Sequence, residues 1–435
     1  MTVRGAALLG VGAMVGAGIF ALLGEAGAVA GAAAWISFLL AGIVSVLIGY
    51  NVVKLGVRYP SSGGLFEYLL QGFGNGRLLG IAAWLGYMSA VLIVCSMCAV
   101  SFGDYAVSLF VGSDGADWWD NVFTSAIVVA MALVVVVGPQ LVAKAQSLIV
   151  VVMVGILAVF VVVTLPSIDL DKLAFSGYPP VSDIVASVAL TFFAYLGFSV
   201  ITFAAGDMRD PASDLPKAMN RALGVTTIVY VLVAVSVFGT LTVAEVVQYG
   251  PTAIAEAGRP ALGDAGFTMI AIAAMVGMAG SVVATLYASS GLTRMLSDVG
   301  QFPPFFGQGS RLGAKSGVLI SAGIVLVVSN TVDLSAIASV GSACSLMIFV
   351  LVGAAGYRLR STTGANSAII LVGVAATLVV LAFFVVDTLR NAPQTFTAIV
   401  VVALLSVGLD LVWKRARGPL APSEESAVSP SAPIE

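Results

Sequence analysis

Twelve apolar stretches recur along this chain, most of them near the length a helix needs to cross a bilayer. Crossing the hydrocarbon core takes about 20 apolar residues as helix. The stretches fall at residues 6–29, 33–53, 79–108, 120–138, 141–165, 182–205, 218–241, 266–293, 316–331, 334–356, 367–386 and 394–413. Only 9% of the 435 residues are charged and 60% are hydrophobic, where a soluble domain carries about 25% charged residues. Mean hydropathy is +1.08. No soluble core uses so much apolar surface, so the solvent is a membrane. The apolar run after Arg4 continues past signal-peptide length, and no cleavable leader is expected. Turn residues alone join two pairs of stretches: Gly138, Pro139 and Gln140, and the segment 330–333.

Basic residues orient such a chain, because cytoplasmic loops retain Lys and Arg. With the N-terminus in the cytoplasm, 16 of the 19 Lys and Arg fall in inside segments. Lys172, Arg259 and Arg390 remain outside. An odd number of spans would break the alternation, so twelve spans and two cytoplasmic termini are expected in the cytoplasmic membrane. Asp114, Asp117, Asp120, Asp169, Asp171 and Asp183 make the outer loops acidic, which reads as a solvated face. Residues 418–435 are rich in Pro, Ser and Glu and read as a disordered tail.

Several function classes fall away. The net charge of −3 does not point to nucleic acid. Cys95 and Cys98 spell CxxC, but the chain has no second pair and no histidine, so these two and Cys344 read as buried small residues and not as a zinc site. No HExxH, intramembrane carboxylate pair or activated serine marks a membrane hydrolase. No filter sequence marks a channel. Neither an enzyme nor a cofactor is expected.

The segment GVGAMVGAGIF, residues 10–20, sits inside the first stretch and holds Gly10, Gly12, Gly16 and Gly18. Each glycine costs a helix roughly 1 kcal/mol relative to alanine. Three readings compete. A phosphate loop is poorly matched, since the spacing is one residue too long and no strand precedes it. Gly12 and Gly16 fit the small-xxx-small rule of close helix packing. The third reading is a helix unwound at the membrane midplane, where freed amides hold an anion and freed carbonyls a cation. Transporters built on inverted repeats break a helix at the matching place in each half. The sixth stretch supplies a partner in FFAYLGFSVI, residues 192–201, with Gly197 in mid-span.

These segments resemble the amino acid–polyamine–organocation permeases. GAMVGAGIF is similar to their first-helix signature, YPSSGGLFEYL (residues 59–69) to their first cytoplasmic loop, and FFAYLGF to their sixth helix. GDMRDPASDLPKAM (206–219), with Asp207 where Glu is usual, and MLSDVGQFPPFF (295–306) resemble the loops after the sixth and eighth helices. The resemblance implies an all-α LeuT-type fold: a 5+5 inverted repeat over residues 1–356, two further transmembrane helices over 357–417, and the tail 418–435. It implies a secondary transporter working by alternating access. The amides of Ala17, Gly18 and Ile19 would receive a substrate carboxylate. The carbonyls of Met14, Phe193, Ala194 and Leu196 would receive the α-ammonium. The partners expected are an amino acid, membrane lipid and a coupling ion. An amine or polyamine permease, or an amino acid exchanger of the same fold, is the alternative.

Other residues carry two readings each. Glu25 either lines an outer vestibule or reaches the interface, and Asp104 reads as interfacial. Trp84, Tyr87 and Tyr287 either surround a substrate or pack. Glu67 and Asp207 either close an inner gate or form ordinary loop pairs. Pro211 and Pro216 fix the start of the seventh helix. Some relatives carry a lysine midway along the fifth helix. Matching Ala145, Gln146 and Ser147 to that pattern puts Met153 there, and Lys144 lies about 13 Å of helical rise away. Sodium-coupled relatives use first-helix carbonyls, here of Gly12 and Val15, and two eighth-helix hydroxyls. The matching positions are Gly280 and Ser281, which leaves one hydroxyl and a weak sodium site at most. Ser289 and Ser290 read as packing residues.

Overall fold

The computed structural model describes residues 2–417 except 62, 113–117, 204, 206–207, 308–314 and 333. The expected tail, Asp114, Asp117 and Asp207 therefore lie outside the described residues. Among those residues the chain is helical throughout, with no strand. α1 (Val3–Ala30) and α2 (Ala34–Arg58) come first, then a short α3 (Leu65–Phe73). α4 (Arg77–Phe110) contains a π-helical segment, Tyr87–Ile93. α5 (Trp118–Val137), α6 (Pro139–Thr164), α7 (Val181–Phe193) and α8 (Leu196–Phe203) follow. The rest are α9 (Pro211–Thr240), α10 (Asp264–Asp298), α11 (Lys315–Ser329), α12 (Leu334–Arg358), α13 (Ser367–Asn391) and α14 (Pro393–Arg417).

Each of the twelve apolar stretches coincides with one of these helices, or with the bent pair α7 and α8. Local chemistry sets several starts. Thr2 accepts a bond from the Gly5 amide, and Pro139, Pro211 and Pro393 open helices where no amide partner is needed. Pro216 lies inside α9, one turn on. Nine helices among the described residues are long and apolar enough to cross a membrane, or ten with the bent pair taken as one span. Two features separate that number from twelve. The run Gly18–Arg58 joins the second half of α1 to all of α2, which Gly31 at φ +55° divides. α11 has 15 residues, roughly 22 Å of helix against a core of about 30 Å.

Burial separates two kinds of helix. α4, α10 and α12 are mostly enclosed, whereas α5, α6, α13 and α14 turn most side chains outward. The large outward side chains there are mostly Val and Leu, with Trp118 and Phe383, as lipid requires. Helices five stretches apart pack together: α1 on α7 and α8, α2 on α9, α4 on α10, and α5 on α11. The C-terminal end of α14 meets the α3–α4 connection and the segment after α10. There Trp413 and Arg417 donate to the Gly300 carbonyl.

Candidate functional site

The sixth apolar stretch breaks in mid-course. α7 ends at Phe193, α8 begins at Leu196, and the two axes differ by 41°. At the break the amides bond three residues back, Ala194 to the Thr191 carbonyl at 3.1 Å and Tyr195 to that of Phe192 at 2.9 Å. The Ala194 carbonyl faces the Tyr230 hydroxyl of α9 at 3.0 Å. The same hydroxyl lies 2.6 Å from the Met14 carbonyl of α1. Its single proton serves one of the two at a time.

Glycine brings the backbones this close. A Cβ on Gly197 would run into the Ala13 and Met14 backbone. One on Gly18 would meet Tyr230 and Ala194, and one on Gly16 the Gly277 carbonyl of α10. α1 itself is a continuous helix from Val3 to Ala30. The turn expected to be unwound is wound in this conformation. In apolar surroundings the best partners for amides of Ala17, Gly18 and Ile19 are carbonyls one turn back. In this conformation the α1 glycines serve close approach, and among the described residues the broken span is α7–α8.

A cavity opens beside that break. Ala13 of α1, and Phe193, Ala194, Leu196 and Gly197 at the break, form one end of it. α4, α10 and α12 form the walls, and Leu65, Phe66 and Phe203 lie toward the α3 side. Of the twenty described lining residues, Ser89, Ser199, Thr285 and Ser345 are polar and none is charged. Away from α3, the ring of Phe193 presses on Gly341, and Gly24 abuts the Gly250 backbone. The molecule is thus closed between α1 and the start of α12.

The site residues expected from sequence divide into groups. Phe193, Ala194 and Leu196 line the cavity; Met14 and Gly18 meet them at Tyr230; Ile19 is fully buried and lines nothing. Nothing is described of the Ala17 side chain. Ser281 donates to the Gly12 carbonyl at 3.2 Å, and Val15 is buried. Met153 packs on Gly277, next to Gly16. Ser289 and Ser290 bond back to Leu286 and Tyr287 in their own helix. Trp84 stacks on Phe302 at 4.0 Å with Tyr87 and Phe306 edge-on, so it packs and does not line the cavity. Tyr287 is exposed. Glu67 accepts from Ser61 and Gln71.

Three residues were not picked out by the sequence. Tyr230 is one. Gln146, used above only as a landmark, is buried between Gly12 and Gly280 with neither amide atom bonded. Asp410 is fully buried in α14 and forms an ion pair with Lys414 at 2.8 Å.

Residues 2–408 match the amino acid permease family. The chain belongs to this family and is a multi-pass membrane transporter, not an enzyme. It is 29% identical to an inner membrane transport protein, YbaT, of Escherichia coli, covering 94% of both chains. It is 27% identical to a methylthioribose transporter of Bacillus subtilis, over 69% of this chain and 67% of that one. It is 26% identical to a branched-chain amino acid permease, BcaP, of the same organism, over 55% and 54%.

Proposed function

We propose that this protein carries neutral amino acids across the cytoplasmic membrane by alternating access. The observation that carries the reading is the α7–α8 break, set against the glycines of α1 and opening on an uncharged cavity. A zwitterion needs one acceptor group, one donor group and no net protein charge. The Met14 and Ala194 carbonyls supply acceptors for the α-ammonium, with those of Phe193 and Leu196 beside them. The amides of Ala17, Gly18 and Ile19 would supply donors for the carboxylate once α1 unwinds at Gly16 and Gly18. Family membership and the name of the branched-chain relative support an amino acid substrate. An amine or polyamine would look for carboxylates, and none is among the described lining residues.

The pairwise packing of helices five stretches apart supports twelve spans in a 5+5 inverted repeat with two helices appended. In that frame the termini are cytoplasmic and the cavity extends toward the cytoplasm. Counterflow tests the reading. Proteoliposomes preloaded with unlabelled neutral amino acid should transiently accumulate the labelled one above equilibrium. Labelled amino acid that only equilibrates, without overshoot, would mark a channel-like path and reject alternating access.

A further inference from the structure

The cavity walls say which neutral amino acids. Resting on the transport reading above, we infer that the site selects a branched or aromatic apolar side chain over a polar one of equal size. The backbone groups that would hold the zwitterion sit at one end, at Ala13, Ala194 and Gly197. The side chain must then lie along the remaining walls. These are Val91, Val94 and Met97 on α4, Ile348 and Phe349 on α12, and Phe193 itself.

The four polar side chains do not soften this wall, because three are already spent. Ser89 pairs with Ser345 and reaches the Gly341 carbonyl. Ser199 donates to the Leu196 carbonyl at 2.8 Å. Thr285 remains, on the α10 side. A substrate hydroxyl or amide placed among these groups gives up water and finds few partners. A charged side chain meets no counter-charge among the described lining residues. Val91 belongs to the π-helical segment Tyr87–Ile93, whose wider turn shapes the wall at this point. Apolar contact also discriminates by size, since one methylene in such a pocket changes affinity about 10- to 200-fold.

Valine and threonine share a shape and differ by a hydroxyl, so they isolate the wall's chemistry from its volume. The purified full chain, reconstituted and preloaded with leucine, is assayed for exchange of labelled leucine. Competitors are valine, threonine, phenylalanine, serine, glutamate, lysine and putrescine. Valine should compete on the order of 10- to 100-fold better than threonine, and phenylalanine better than serine. Val94→Thr should narrow the valine–threonine gap; should that variant not fold or not exchange leucine, the wild-type panel decides. Threonine or serine competing as well as valine overturns the inference and leaves amino acid transport standing. Vesicles that exchange labelled putrescine but none of these amino acids would overturn both.

Discussion

The Tyr230 hydroxyl lies 2.6 Å from the Met14 carbonyl, the oxygen assigned to the substrate's ammonium. It also lies 3.0 Å from the Ala194 carbonyl across the break. Its ring is held edge-on to Phe38 and Tyr195. The hydroxyl therefore occupies acceptors that an ammonium needs, and binding must displace it. Tyr230→Phe keeps the ring and removes the competitor. A hydrogen bond of about 0.5–1.5 kcal/mol net no longer has to be given up, so affinity should rise roughly two- to ten-fold. Equilibrium binding to the detergent-purified variant measures this. Lost binding in a folded protein would make the hydroxyl a substrate ligand instead.

The glycines separate by what lies against them. Gly197 faces the backbone of Ala13 and Met14, which cannot swing aside. Gly18 faces the Tyr230 hydroxyl, held by its two carbonyl contacts and its ring packing, and the Cβ and carbonyl of Ala194. Gly323 in α11 has open space around it. Gly197→Ala and Gly18→Ala should each cost about 1–3 kcal/mol from overpacking, whereas Gly323→Ala should be neutral or gain up to about 1 kcal/mol of helix propensity. Thermal unfolding in detergent ranks the three. Equal melting temperatures for Gly197→Ala and Gly323→Ala would show that α1 and α8 do not pack this closely.

α14 holds a buried carboxylate whose compensation is one neighbour. Asp410 pairs with Lys414 a turn later, with Gly80 and Gln301 pressed against it. Neither carboxylate oxygen has a well-aligned hydrogen bond, so the charge pair carries the compensation. Removing one partner of such a pair costs about 3–5 kcal/mol, while replacing both with apolar residues is often neutral. Lys414→Met should therefore destabilise more than Asp410→Leu with Lys414→Met together. The lysine keeps some exposure and the aspartate has almost none, so Asp410→Asn should be milder than Lys414→Met. A double variant no more stable than Lys414→Met alone would contradict this account.

How much of this was legible in the sequence differs by element. Helix positions were, because the bilayer imposes one length and one composition on every crossing. The α7–α8 break was legible as Gly197 set five stretches after the first glycine run. The state of α1 was not, since Gly16 and Gly18 permit both an unwound turn and a tightly packed helix. Tyr230 carried no signal, because a tyrosine in an apolar helix looks like any packing residue. Asp410 did carry one: a carboxylate in an apolar stretch with a lysine four residues on is a buried pair in waiting.

Orientation rests on the distribution of basic residues and is open to direct labelling. Cys95, Cys98 and Cys344 are buried and contribute little background. Ser182, at the start of α7, and Ser361, after α12, are both exposed. In intact cells Ser182→Cys should react with an impermeant thiol reagent and Ser361→Cys should not. The opposite pattern would invert the topology and place the open end of the cavity outside.

Coupling is the last expectation. A sodium site between α1 and α10 would draw on carbonyls of Gly12 and Val15 and on α10 hydroxyls. Here Gly280 offers none, and the Ser281 hydroxyl is already bonded to the Gly12 carbonyl. Gln146 fills the neighbouring space against Gly12 and Gly280. A titrating lysine is missing as well, since Met153 stands at the matched position and packs on Gly277. A buried ammonium with a depressed pKa, the usual proton carrier of this kind, has no counterpart at Met153. Exchange, or proton coupling by a route other than a lysine, should therefore drive accumulation: vesicles preloaded with substrate or held under a proton gradient concentrate labelled substrate, and an imposed sodium gradient alone does not. Ser281→Ala should leave exchange within a few-fold of wild type, as an exposed or partnered hydroxyl loss costs about 0.5–1.5 kcal/mol. Sodium-driven accumulation that Ser281→Ala abolishes would show that one hydroxyl suffices for an ion site. Sodium-driven accumulation that survives the substitution would place that site elsewhere in the protein.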